Sequence, residues 1–142
     1  MTSDFDPSGE GIEILAPLRA RVVPQWERWW LGCDPGWYPL LAHLAEDLTE
    51  IARQWMLSQA KEKFGALRFY AHPGTDDSEV RRRFDARIAE AEHLSTATCE
   101  RCGQAGRLCR TALGGYKTVC PTCSDLIFDA TGRRYLPLAP SE

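Results

Sequence analysis

Two hydrophobic periods alternate along the chain, and each change of period marks a boundary between elements. From Leu41 to Trp55 the large apolar positions Leu41, Leu44, Leu48, Ile51 and Trp55 are spaced three, four, three and four residues apart. On a helix these share one face, with Glu46, Asp47, Glu50 and Arg53 elsewhere, so the spacing predicts an amphipathic core helix that reaches Trp55. A second stripe, Val80, Phe84, Ile88, Ala91 and Leu94, predicts another helix, entered through "HPGTDD" with Asp76 or Asp77 as its N-cap. Between the two helices the period falls to two. Leu67, Phe69 and Ala71 alternate with Arg68 and Tyr70, the pattern of a half-buried strand. Gly65-Ala66 then predicts the turn of a β-hairpin whose incoming strand runs from about Gln59 to Phe64.

Upstream, Leu15, Leu18, Val22, Trp26, Trp29 and Trp30 recur mainly at three and four, while Pro17 and Pro24 predict a helix that starts late or is interrupted. "GCDPGW" (residues 32–37) reads as a turn in which Asp34 caps and Pro35 takes the first helical position. Residues 1–11 carry Asp4, Asp6 and Glu10 with little that is apolar after Phe5, and read as a flexible lead-in.

The C-terminal third brings in chemistry. "CERCGQAGRLCRTALGGYKTVCPTC" holds two Cys-x-x-Cys pairs, Cys99/Cys102 and Cys120/Cys123, with 17 residues between them. That spacing is the pattern of a zinc ribbon: each pair places two thiolates on one ion, and Gly114-Gly115 turns the intervening hairpin back. Gly103, directly after the first pair, suits a knuckle that needs a positive φ. Four cysteine ligands close a tetrahedron and leave no position for water or substrate, so the expected Zn2+ is structural. Redox exchange is the rival use of such pairs, but the thioredoxin-like βαβ context is missing. Cys109 is expected on the first ribbon strand as a small, partly buried side chain, and Cys33 in its turn likewise. The resulting expectation is an α+β protein, helices packed on a small antiparallel hairpin or sheet with a C-terminal zinc ribbon. Residues 1–11 form the lead-in, 12–97 the core, and 98–142 the ribbon with its tail.

Composition narrows the function classes. The 142 residues are 44% hydrophobic and 26% charged, with net charge −3 and pI near 5.6. These values argue against wholesale disorder and against a general polyanion binder. "MTSDFDPSGEG" has neither a basic n-region nor an apolar h-region, no apolar run approaches the length of a membrane helix, and the paired cysteines suit a reducing compartment, so the expected location is cytoplasmic. There is no G-x-S-x-G, P-loop, G-x-G-x-x-G or H-E-x-x-H motif, nor the His-x-Glu of a nucleobase deaminase. His43, His72 and His93 offer no catalytic set, and no histidine follows His93 to serve an HNH-type nuclease. The reading is non-enzymatic.

Two surface candidates remain. On a hairpin, Lys61 and Lys63 share a face, as do Arg68 and Tyr70; if the register places all four together, they form a basic, aromatic-containing patch for an acidic partner or for phosphates. "WERWW" gathers Trp26, Trp29 and Trp30, and on a helix Trp29 and Trp30 diverge by about 100°, so an exposed one marks a protein interface. Arg81, Arg82, Arg83 and Arg87 read as a solvated helix face. The alternative to a protein partner is nucleic acid. From Cys99 onward Arg101, Arg107, Arg110, Lys117, Arg133 and Arg134 outnumber the acidic residues Glu100, Asp125, Asp129 and Glu142, and Tyr116 beside Lys117 can stack on a base. A thiol-dependent enzyme using Cys109 or Cys33 is a third reading.

"GCDPGWYPLL", "KEKFGALRFY" and "CERCGQAGR" with the later Cys-x-x-Cys together resemble an uncharacterised family of small bacterial and phage-associated proteins. That family is similar in its Gly-Trp helix opening, its K-E-K-F-G-x-L-R-F-Y hairpin and its terminal ribbon. The resemblance spans Cys33 to Cys123, with Ala66 standing where a second glycine is commoner in the family. It implies the same architecture and tilts the function towards a modulator of another protein: an inhibitor, immunity factor or accessory protein.

Overall fold

The computed structural model describes residues 13–138 and gives an α+β fold with two small sheets. The expected lead-in, residues 1–11, lies outside the described residues. Helix α1 (Ala16–Arg19) is a single turn with Pro17 inside its first turn, and a 3-10 turn follows at Pro24–Trp26. The two prolines thus break the Ile12–Trp30 stripe into short pieces, of which Leu15, Leu18 and Trp30 reach the core. Strand β1 (Leu31–Gly32) runs parallel to β2 (Met56–Lys63), and β2 pairs antiparallel with β3 (Ala66–His72).

Helix α2 (Tyr38–Ile51) buries Tyr38, Leu41, Leu44, Ala45 and Leu48. It stops short of Trp55, because Ala52 swings to an extended conformation and a tight turn returns the chain. Trp55 still reaches the core from that turn. Its ring lies 6.1 Å from Phe69 and 6.3 Å from Phe84, and its Nε1 donates to Thr49 Oγ1 at 3.0 Å. Helix α3 (Ser78–Ser95) is capped by Asp77, which accepts from the Glu79 and Val80 amides. Its stripe is Phe84, Ile88, Ala91 and Ser95. The expected last member, Leu94, is exposed: Ser95 faces inward instead, its hydroxyl accepting from Leu67 N at 2.9 Å and donating to Glu92 O at 2.6 Å. A polar residue takes the buried position because a strand amide there needs an acceptor.

The β2–β3 hairpin starts three residues earlier than the alternation predicts and turns on Phe64-Gly65, one residue before the expected pair. Both turn residues have positive φ, +54° and +83°, the requirement of a two-residue hairpin whose twist matches its strands.

The second sheet has the order β5-β4-β6, from β4 (Arg107–Arg110), β5 (Tyr116–Val119) and β6 (Leu136–Pro137). A short helix, α4 (Pro121–Ser124), begins directly after Cys120. This unit has its own small core of Cys99, Cys109, Val119, Cys120 and Cys123. It packs against the first. The Gly36 amide donates to Glu100 O at 2.7 Å, the buried Trp37 donates through Nε1 to Thr98 O at 2.9 Å, and Thr118 Oγ1 donates to Gly65 O at 2.6 Å.

Candidate metal centre

Each cysteine pair is shaped locally before it meets the other. At the first, Gly103 takes φ +85° and donates to Cys99 O at 2.9 Å, while the Cys102 amide points at Cys99 Sγ at 3.4 Å. At the second, Pro121 opens α4, and the Cys123 amide points at Cys120 Sγ at 3.4 Å. That amide is the main cause holding the Cys120 thiol down at about 7, while burial and then the neighbouring thiols push its pair partner Cys123 up. The β4–β5 hairpin, with Arg107 opposite Val119 and Arg110 opposite Tyr116, brings the pairs together.

The four sulfur atoms of Cys99, Cys102, Cys120 and Cys123 all lie within 4.8 Å of one another, and Cys102 Sγ is 3.7 Å from Cys120 Sγ. A tetrahedron of thiolates about 2.3 Å from a central ion has edges of about 3.8 Å, so the donor set fits a four-coordinate metal. Cys99, Cys120 and Cys123 are buried and Cys102 is exposed.

Cys109 stands outside this set, buried on β4, and burial pushes its thiol up. Cys33 packs against the main core, half-buried, and burial followed by the nearby Glu100 raises its thiol well above the usual value. Both shifts disfavour a thiolate at neutral pH.

Glu100, between the first two cysteines, is the residue that spacing alone does not flag. Its side chain is 2% exposed. It accepts from Lys117 Nζ at 3.1 Å and from the Asp34 amide at 3.0 Å, and Asp34 Oδ2 stands 3.8 Å from the same ammonium. Burial pushes the Glu100 carboxyl up, and Lys117 only partly offsets it. Burial works to lower the Lys117 pKa, but Glu100 and then Asp34 outweigh it and hold the ammonium above its ordinary value. Asp34 therefore makes no side-chain cap on the 3-10 turn Pro35–Trp37, contrary to expectation, and its carboxylate turns to the ribbon lysine instead. Lys117 and Tyr116, counted for a nucleic-acid reading, are both engaged: the lysine by Glu100, the tyrosine by an edge contact with Phe64.

On the first sheet, Lys61 pairs with Arg68, Gln59 with Tyr70 and Lys63 with Ala66. Leu57, Ala60, Leu67 and Phe69 fill the buried face, so Lys61, Lys63, Arg68 and Tyr70 share the opposite one. Gly32 on β1 sits beside Lys61. Trp29 is 67% exposed and Trp30 only 6%, which withdraws Trp30 from the candidate contacts. The separation arises not on a helix but in the turn before β1, where Trp30 O accepts from Ala60 N at 2.6 Å and Trp29 O accepts from Gln59 Nε2 at 3.0 Å. No described helix is long and apolar enough to cross a membrane. Comparison with protein-family models, with curated proteins and with solved structures finds no match.

Proposed function

We propose that the chain is a non-enzymatic, zinc-stabilised protein-binding module of the cytoplasm, serving as an inhibitor, immunity factor or accessory protein of bacterial or phage origin. Zinc is the metal of choice for four thiolates in a closed tetrahedral set, and six free cysteines fit a reducing compartment. The observation that carries the binding reading is the pairing of Lys61 with Arg68 on the sheet face turned away from the core. Beside it Tyr70 and the outward Trp29 supply the large, amphipathic contact area that protein interfaces favour. A partner for this face is acidic.

The test is affinity capture of the tagged protein from its host, with and without nuclease, for the wild type and for a Lys61→Glu/Arg68→Glu double variant. One stoichiometric protein that survives nuclease and is lost in the double variant supports the reading. Enrichment that disappears with nuclease moves the basic face to nucleic acid and overturns it.

A further inference from the structure

Where the ribbon meets the core, a cleft of about 1070 Å³ opens between the β1 turn and the segment after α4. Its charges are unevenly engaged. The three carboxylates that line it are held by the protein itself: Asp34 and Glu100 face Lys117, and Glu62 accepts from the Gly65 amide at 2.7 Å. Its guanidinium groups are not so held. Among the described residues Arg19, Arg28 and Arg101, all exposed, have no carboxylate within 4.0 Å. With Lys117 the lining carries four cations against three carboxylates, a surplus of one, and the three guanidinium groups are its exposed cations, so the rim of the cleft presents a positive potential to whatever enters.

The far wall is apolar. Leu126 and Phe128 line the cleft on the ribbon side and are 62% and 56% exposed. Their apolar surface lies at the rim, where an extended segment can cover it. The volume lies just above the roughly 300–1,000 Å³ of small-molecule pockets. From these features we infer that the cleft docks an acidic peptide segment of a partner protein, carboxylates on Arg19, Arg28 and Arg101 and a bulky apolar side chain against Leu126 and Phe128. This site is separate from the Lys61/Arg68 sheet face and stands or falls independently of it.

The experiment uses the full-length, metal-loaded protein and a fluorescein-labelled octapeptide of alternating glutamate and phenylalanine, followed by anisotropy. Two further octapeptides, alternating lysine/phenylalanine and glutamate/serine, and a labelled single-stranded oligonucleotide run in parallel. The glutamate/phenylalanine peptide binds best, and Arg28→Glu and Phe128→Ser each weaken it by about tenfold without moving the thermal unfolding midpoint. Arg68→Glu leaves it unchanged. Equal binding of the lysine peptide, tighter binding of the oligonucleotide, indifference to Arg28→Glu, or no binding up to about 1 mM overturns the inference. So does self-association by light scattering that the peptide fails to compete. Loss on Arg68→Glu but not on Arg28→Glu places the acidic segment on the sheet face, which refutes the cleft and leaves the proposed function standing.

Discussion

Gly36 is the point where the first cysteine knuckle rests on the core, and its replacement by alanine measures how tightly the two units are joined. A Cβ built there overlaps the carbonyl oxygens of Cys99 and Glu100 and stands 2.5 Å from the Glu100 carbonyl carbon. All three are backbone atoms, so no rotamer change relieves the clash. Either the turn or the knuckle moves, and with it goes the 2.7 Å bond from the Gly36 amide to Glu100 O. Overpacking of this kind costs about 1–3 kcal/mol, and the lost bond about 1 kcal/mol more. Alanine restricts the unfolded chain and returns roughly 0.4–1 kcal/mol. The net expectation is a destabilisation of about 1–3.5 kcal/mol, which for a chain of this size lowers the midpoint by roughly 3–12 °C. Because the displaced carbonyl belongs to a cysteine of the metal set, a chromogenic chelator should also extract metal faster from Gly36→Ala than from wild type. A midpoint within about 1 °C of wild type, together with unchanged metal release, refutes the claim that the knuckle bears on this glycine.

Three further outcomes are expected. Lys117→Met leaves Glu100 buried beside Asp34 without its cation and lowers stability by about 2–3 kcal/mol, while the Glu100→Gln/Lys117→Met double variant returns close to wild type; urea unfolding of the four forms checks both, and an additive double variant sinks the argument. Phe64→Val places a β-branched residue at φ +54° and removes the edge contact with Tyr116, costing about 2 kcal/mol by the same assay, whereas Phe64→Asn, which tolerates that φ, costs less. Removing the metal with a chelator should abolish hydrogen-exchange protection at the Gly36 and Cys99 amides, whose acceptors are Glu100 O and Gln104 O, and leave the α2 amides protected; mass spectrometry of exchanged peptides reads this, and equal protection in both forms counts against it.

The pattern of apolar positions located both long helices and the first hairpin, because each of these is held by a face whose period appears in the chain, while the cysteine hairpin was legible from the spacing of its two Cys-x-x-Cys pairs and Gly114-Gly115. It failed where one residue's partner lies far off in sequence. Trp55 continues the helical spacing of Leu48 and Ile51, yet it is buried from a turn, since a core position does not reveal which backbone conformation delivers it. Leu94 fits the stripe and lies outside, while Ser95 breaks it and lies inside, because the Leu67 amide needs a hydroxyl. Glu100 looks like a solvated charge between two cysteines until Lys117 and the Asp34 amide are brought to it. The "GCDPGW" stretch hinted at this: two glycines around a short acid promise a close backbone approach, though not the element that approaches.

These same long-range contacts determine what the metal can do for the rest of the molecule. An ion that binds only the folded ribbon stabilises it in proportion to the logarithm of metal concentration over its dissociation constant, and thiolate sites release protons as they form, so the gain falls in acid. In a ribbon on a free linker that energy would remain local. Here the Cys99 knuckle packs on Gly36, the adjacent Trp37 side chain is tied to Thr98, and the second ribbon strand is tied through Thr118 to the Gly65 turn of the first sheet. The cleft between the units is bounded by residues from both, with Lys117 of the ribbon facing Asp34 of the core across its floor. Metal binding that orders the ribbon is therefore expected to order the ribbon wall of this cleft as well, and a ligand that prefers the ordered cleft would raise metal affinity by the same factor by which metal raises its own.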